Sequence, residues 1–172
     1  TLARKRRGLS KIMLAGRIGV DVRSITAYED GEFEPSSDTR IVMSRVLGFP
    51  RQFFEGSEID LPRTETASFR SLSKRTASQR DSALAAGGLA FHLADWVEQH
   101  FQLPAVTLPR LEQLDPEGAS VALRQRLGLG EQPIRHVLKL LEAHGVRFFA
   151  LGDIAEEIDA FSLWRDDRPY IF

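Results

Sequence analysis

The 172-residue chain is 42% hydrophobic and 27% charged, a globular composition with room for one ordinary domain, or for a small unit of fifty-odd residues joined to one of about a hundred. No apolar run approaches the roughly 18 residues that span a bilayer. The lack of cysteine excludes disulfides and thiolate metal sites, and no signal peptide is evident, so the chain reads as soluble and cytoplasmic. The net charge of -1 averages unlike parts. Residues 1–23 carry Arg4, Lys5, Arg6, Arg7, Lys11, Arg17 and Arg23 against Asp21 alone, residues 63–80 are also basic, and residues 151–167 are acidic around Arg165. The chain begins at Thr1, part-way into what reads as a helix, as a processed or partial chain would.

Ser10 can cap a short helix over 11–18 in which Leu14, Ala15 and Ile18 share a face. Gly19 can take the left-handed conformation that ends it, Val20 offers an apolar plug, and Asp21 can cap a second helix from Val22 to about Glu29. Two helices therefore meet at a tight glycine corner. The second is expected to bury Ile25 and Tyr28 and to turn Val22, Arg23, Thr26 and Ala27 outward, with Asp30-Gly31 as its stop. A helix over 38–47 stopped by Gly48 comes next, then a short turn whose Phe49, Phe53 and Phe54 close a small core.

The stretch GLSKIMLAGRIGVDVRSITAYEDG, with Pro35 and the helix ending at Gly48, resembles the Xre/Cro/repressor family of helix-turn-helix proteins. The resemblance implies a DNA-binding regulator, dimeric on a two-fold symmetric operator. Carried over position by position, it makes Val22, Arg23, Thr26 and Ala27 the base readers, with Asp21 more a cap than a reader. Arg23 suits guanine O6 and N7, Val22 and Ala27 suit a thymine methyl, and Thr26 is permissive. Ser10, Lys11, Arg17, Arg6 and Arg7 become phosphate contacts, and Arg4 with Glu29 matches a structural ion pair between the first and third helices. The family usually carries Gln where this chain has Lys11, which replaces an amide by a point charge.

Residues 57–68 read as a linker, and a second unit, 69–172, begins near Phe69. A long helix is expected from about Lys74 to Phe101, with Ala90, Ala94, Val97 and Phe101 in a stripe widened by Leu89, Leu93 and Trp96, and with a kink or close contact at Gly87-Gly88. Pro116 and Pro133 then open helices that end at Gly128 and Gly145, the first burying Ala119, Leu123 and Leu127, the second Ile134, Val137, Leu138 and Leu141. Short strands are expected at 146–150, 159–164 and 170–172, the last two joined in a hairpin by residues 165–169. The predicted class is α+β, mostly α: a five-helix repressor-like bundle, then a helical region ending in a small antiparallel sheet.

The order of helices, then LLEAHGVRFFAL, then DAFSLWRDDRPYIF, resembles the start of an ImmA/IrrE-type metallopeptidase domain. That resemblance implies zinc held by an HExxH helix after the last strand, in a longer parent protein that cleaves a repressor. This chain contains no HExxH, no GxSxG and no phosphate-binding glycine loop; His92, His100, His136 and His144 stand eight apart in pairs, and His144 suits a helix C-terminus. Neither catalysis nor a cofactor is expected of the chain itself. The acids Glu156, Glu157, Asp159, Asp166 and Asp167 read as a solvated edge. The alternatives to a DNA-binding regulator are the leading part of a zinc peptidase and an antitoxin-like module with a partner protein.

Overall fold

The computed structural model describes residues 1–70, 76–111, 113–151 and 160–172. Four helices, α1 (Leu2–Arg6), α2 (Lys11–Ile18), α3 (Val22–Glu29) and α4 (Ser37–Leu47), precede a 3-10 turn at Arg51–Phe54. Their ends are set by local chemistry. Ser10, Asp21 and Ser36 each accept a backbone N–H from the first turn they precede, at 3.1, 2.7 and 3.2 Å, which satisfies donors that a helix leaves unpaired. Gly19 and Gly48 close α2 and α4 with φ of 75° and 66°. Ala3, Leu9, Leu14, Ala15, Ile25 and Leu47 form the core of this unit, with Phe49, Phe53 and Phe54 packed at its margin.

The second unit places α5 (Ala77–His100) against a sheet of β1 (Ala67–Phe69), β2 (Arg147–Phe148), β3 (Phe161–Arg165) and β4 (Arg168–Ile171), and adds α6 (Pro116–Arg126) and α7 (Val137–Ala143). Phe69, Phe91, Phe161, Leu163, Tyr170 and Phe172 dominate the core between α5 and the sheet. Phe161 and Phe172 stack with centroids 4.4 Å apart. Asp166 and Asp167, both at positive φ, form the two-residue turn between β3 and β4, where a right-handed strand twist favours that geometry. The strand order is β1-β3-β4-β2.

Several expectations are corrected by this architecture. The sheet is mixed rather than antiparallel, because β2 lies beside β4 and runs parallel to it; a hairpin determines only the direction of its own two arms. Ala67 and Ser68, expected in the linker, pair with Leu163 and Ser162 in β1. Helix α7 opens at Val137, not after Pro133, since Arg124 donates to the carbonyls of Gly130 and Gln132 and ties that segment into a turn. Leu93, Trp96, Phe101, Val137 and Leu138 are exposed, so the apolar stripe of α5 is buried over only part of its length and no residue of α7 is fully buried. In α5 the buried part is the small-residue half, from Ser82 to Ala94. Helix α5 runs unbroken through Gly87-Gly88, where a Cβ would come within 3.3 Å of Pro62 or 3.0 Å of the Asp60 carbonyl. The glycines therefore serve close approach of the preceding segment. The expected contribution of Lys74 to this helix, and the acids Glu156, Glu157 and Asp159, lie outside the described residues.

The two units share an edge along α1 and α5. Ser78 and Ser82, one turn apart on α5, donate to the carbonyls of Gly8 at 3.1 Å and Arg6 at 2.9 Å, closing the carbonyl end of α1. Lys5 pairs with Asp81 at 3.2 Å. Ser82 is itself buried, so Ser82→Ala leaves a carbonyl without a donor and should lower stability by about 1 to 2 kcal/mol, as read from urea unfolding. A change no larger than that of an exposed serine elsewhere would show that this bond is replaced by water.

Candidate nucleic-acid interface

The corner between α2 and α3 is built from its backbone outward. The Gly19 and Val20 N–H groups both donate to the Ala15 carbonyl, at 2.9 and 3.1 Å, the double closure that a left-handed glycine permits. Val20 and Ile18 then pack into the core beside the buried Ile25. This locks α3 at a defined angle to α2. Asp21 spends a carboxylate oxygen on the Arg23 N–H, which makes it the cap of α3.

Arg23 is exposed on α3, with Val22 and Thr26 half-buried beside it. Ala27 is 6% exposed and belongs to the interior; its carbonyl accepts the Glu32 N–H as the chain turns back after α3. The expectation that Ala27 faces outward is therefore corrected, and no methyl remains there for a thymine. Ser24, absent from the expected set, is half-exposed on α3; no signal in the sequence separates it from Ala27, because both positions come from the same helical wheel.

Of the seven cations in residues 1–23, most are committed within the protein. Arg4 grips Glu29 through two bonds of 2.8 and 2.7 Å and also donates to the Leu9 carbonyl. Burial would push the Glu29 carboxyl upward, but the Arg4 hydrogen bonds, with the ammonium of Thr1 behind them, hold it below its ordinary value. The expected structural pair is formed. Arg6 donates to the Leu151 carbonyl at 3.2 Å, and burial, then the charge of Arg7, lowers its pKa. Arg7 donates to the Leu47 carbonyl at 2.6 Å and lies over the Phe49 ring at 5.5 Å. Arg6 and Arg7 thus each have guanidinium donors engaged within the protein, which sets them apart from the other cations placed among phosphate contacts.

Three cations remain at the corner. Arg17 and Arg23 are exposed, and among the described residues nothing bonds to either guanidinium. Lys11, at the start of α2, reaches across to α3 and donates to Thr26 Oγ1 at 3.2 Å. The exposed Ser10 has its hydroxyl oxygen occupied by the Met13 N–H. Sequence spacing suggests neither the Lys11–Thr26 contact nor the inward turn of Arg6 and Arg7, since these depend on where separate elements meet.

The described residues do not offer a zinc site: no group of three or more His, Asp or Glu side chains converges among them. His100 Nδ1 lies 2.7 Å from the Trp96 carbonyl and His144 Nδ1 lies 2.6 Å from Thr107 Oγ1. No described helix is long and apolar enough to cross a membrane.

A small bundle whose second and third helices meet at a glycine corner, with exposed arginines on its outer face, defines a helix-turn-helix. Residues 2–54 match the family described as helix-turn-helix. This part of the chain is a DNA-binding domain of the kind found in transcription regulators. No curated protein and no solved structure matches the chain.

Proposed function

We propose that the chain is a sequence-specific transcription regulator of the Xre type that lays α3 in the major groove and binds a two-fold symmetric operator as a homodimer. The second unit, from β1 onward, holds or senses on behalf of the pair, in the cytoplasm where the operator lies. Arg23 is the principal base reader, donating its fork to guanine O6 and N7, with Val22 available to a thymine methyl and Thr26 beside it. Lys11 and Arg17, with the N-terminal end of α2 at Ser10, grip phosphate.

The observation that carries this reading is the guanidinium of Arg23, unbonded among the described residues, on the exposed face of a helix locked by its corner. A protein with a solvated basic face only would show no preference among sequences. Selection from a random DNA pool followed by titration tests it. Arg23→Ala should weaken the selected site by about 1 to 3 kcal/mol and relax selectivity at one base pair, while Arg17→Ala should weaken all sequences alike and lower the salt slope by about one. Equal loss by Arg23→Ala on selected and random DNA would overturn the base-reading role. Sedimentation of the free and DNA-bound protein tests the dimer.

A further inference from the structure

The contact between Lys11 and Thr26 bears on which base is read, and its meaning rests on the proposal that α3 reads DNA. A threonine hydroxyl is ordinarily permissive, because it can donate to a base acceptor or accept from a base amino group. Thr26 is not in that position. Its oxygen accepts from the Lys11 ammonium at 3.2 Å, and an ammonium can only donate. The hydroxyl proton must point elsewhere, and no other bond to the Thr26 hydroxyl is made among the described residues. A base amino group brought to the same oxygen would also bring its partial positive charge against the ammonium.

Lys11 is held in this place from behind. Its Nζ lies 3.9 Å from Glu29 Oε2, and that carboxylate is 9% exposed and already gripped by Arg4. The lysine side chain keeps 35% of its surface exposed, so its remaining donors are open to a ligand. The arrangement therefore sets two donors side by side, one ammonium and one hydroxyl proton, and leaves the second lone pair of the Thr26 oxygen beside a positive charge that disfavours an incoming amino group.

We propose that Lys11 and Thr26 act together as a second reading element that selects a base edge made only of acceptors, the N7 and O6 of guanine. Cytosine offers an amino donor there, adenine sets its amino group beside N7, and thymine sets a methyl beside O4. Lys11 then determines specificity by orienting Thr26, in addition to any phosphate it meets.

The test measures the preference for each of the four bases at every position of the selected site, by competition against labelled DNA. Wild-type protein should show a guanine preference at one position distinct from that read by Arg23. Thr26→Val, which keeps the side-chain shape, and Lys11→Met, which keeps much of its length, should each reduce that preference roughly tenfold at the same position. Thr26→Ser, which restores the hydroxyl, should retain it and control for local folding. A sharp wild-type profile unmoved at a common position by Thr26→Val and Lys11→Met overturns this inference alone. Absence of any sequence preference in the wild-type protein overturns the DNA-reading proposal, and this one with it.

Discussion

Arg4→Ala should lower the unfolding free energy by about 3 kcal/mol, the low end of the range for removing one partner of a buried ion pair, because this pair is partly buried and Lys11 Nζ stays 3.9 Å from the carboxylate. The side chains of Arg4 and Glu29 are 11% and 9% exposed, so the carboxylate left behind has little water to replace the two bonds it loses. Part of the deficit comes from the Leu9 carbonyl, which also loses its donor. The pair ties α1 to the end of α3, so the variant should also bind DNA more weakly at temperatures where it is still folded. The pH dependence comes from the lowered pKa of Glu29. A carboxyl depressed in the folded state contributes stability that is complete above its unfolded value of about 4.3. That contribution is lost as pH falls through the lower folded value. Urea unfolding of wild type and Glu29→Gln between neutral and acid pH checks it: the gap between them should be largest near neutrality and close in acid. A gap that is constant with pH would remove the ion pair as its cause.

The second large effect is expected at Gly145. Its φ is 87°, and a Cβ built there would lie 2.6 Å from Val106 Cα and 2.7 Å from the Ala105 carbonyl oxygen. The segment 105–107 is pressed against the end of α7, where the Thr107 N–H donates to the His144 carbonyl at 3.2 Å. Gly145→Ala meets two penalties, the left-handed strain of about 1 kcal/mol and overpacking of about 1 to 3 kcal/mol against backbone that cannot rotate away. Together they should cost about 3 kcal/mol in thermal or urea unfolding. Gly128 is the control, with φ of 67° and open space where its Cβ would go; alanine there should cost only about 1 kcal/mol. Equal losses at the two positions would refute the close approach.

The contrast between these glycines shows where sequence reading stops. Gly128 and Gly145 carry the same local message, a helix end with positive φ. Only the path of residues 105–107, distant in the chain, makes one of them intolerant of a methyl group. Arg6 and Arg7 repeat the point. Both sit in a basic run that suits phosphate, yet the carbonyls of Leu151 and Leu47 take their donors. A helical wheel turns Ala27 outward because it assumes one narrow buried face, whereas in the fold Ile25 and Ala27 are both buried.

The caps at Ser10 and Asp21, the glycine corner at Gly19 and the buried Ile25 are determined by the sequence itself, because each depends on bonds or spacing within a few residues of its own position. They are enough to define the helix-turn-helix. The neighbour of β2, the docking of α1 on Ser78 and Ser82, and the joining of Lys11 to Thr26 are decided only in the tertiary structure. Each brings together groups from separate elements, and no local periodicity records which groups those will be. The chain alone thus identifies the helix-turn-helix; the fold selects which of its cations remain open at the α2–α3 corner.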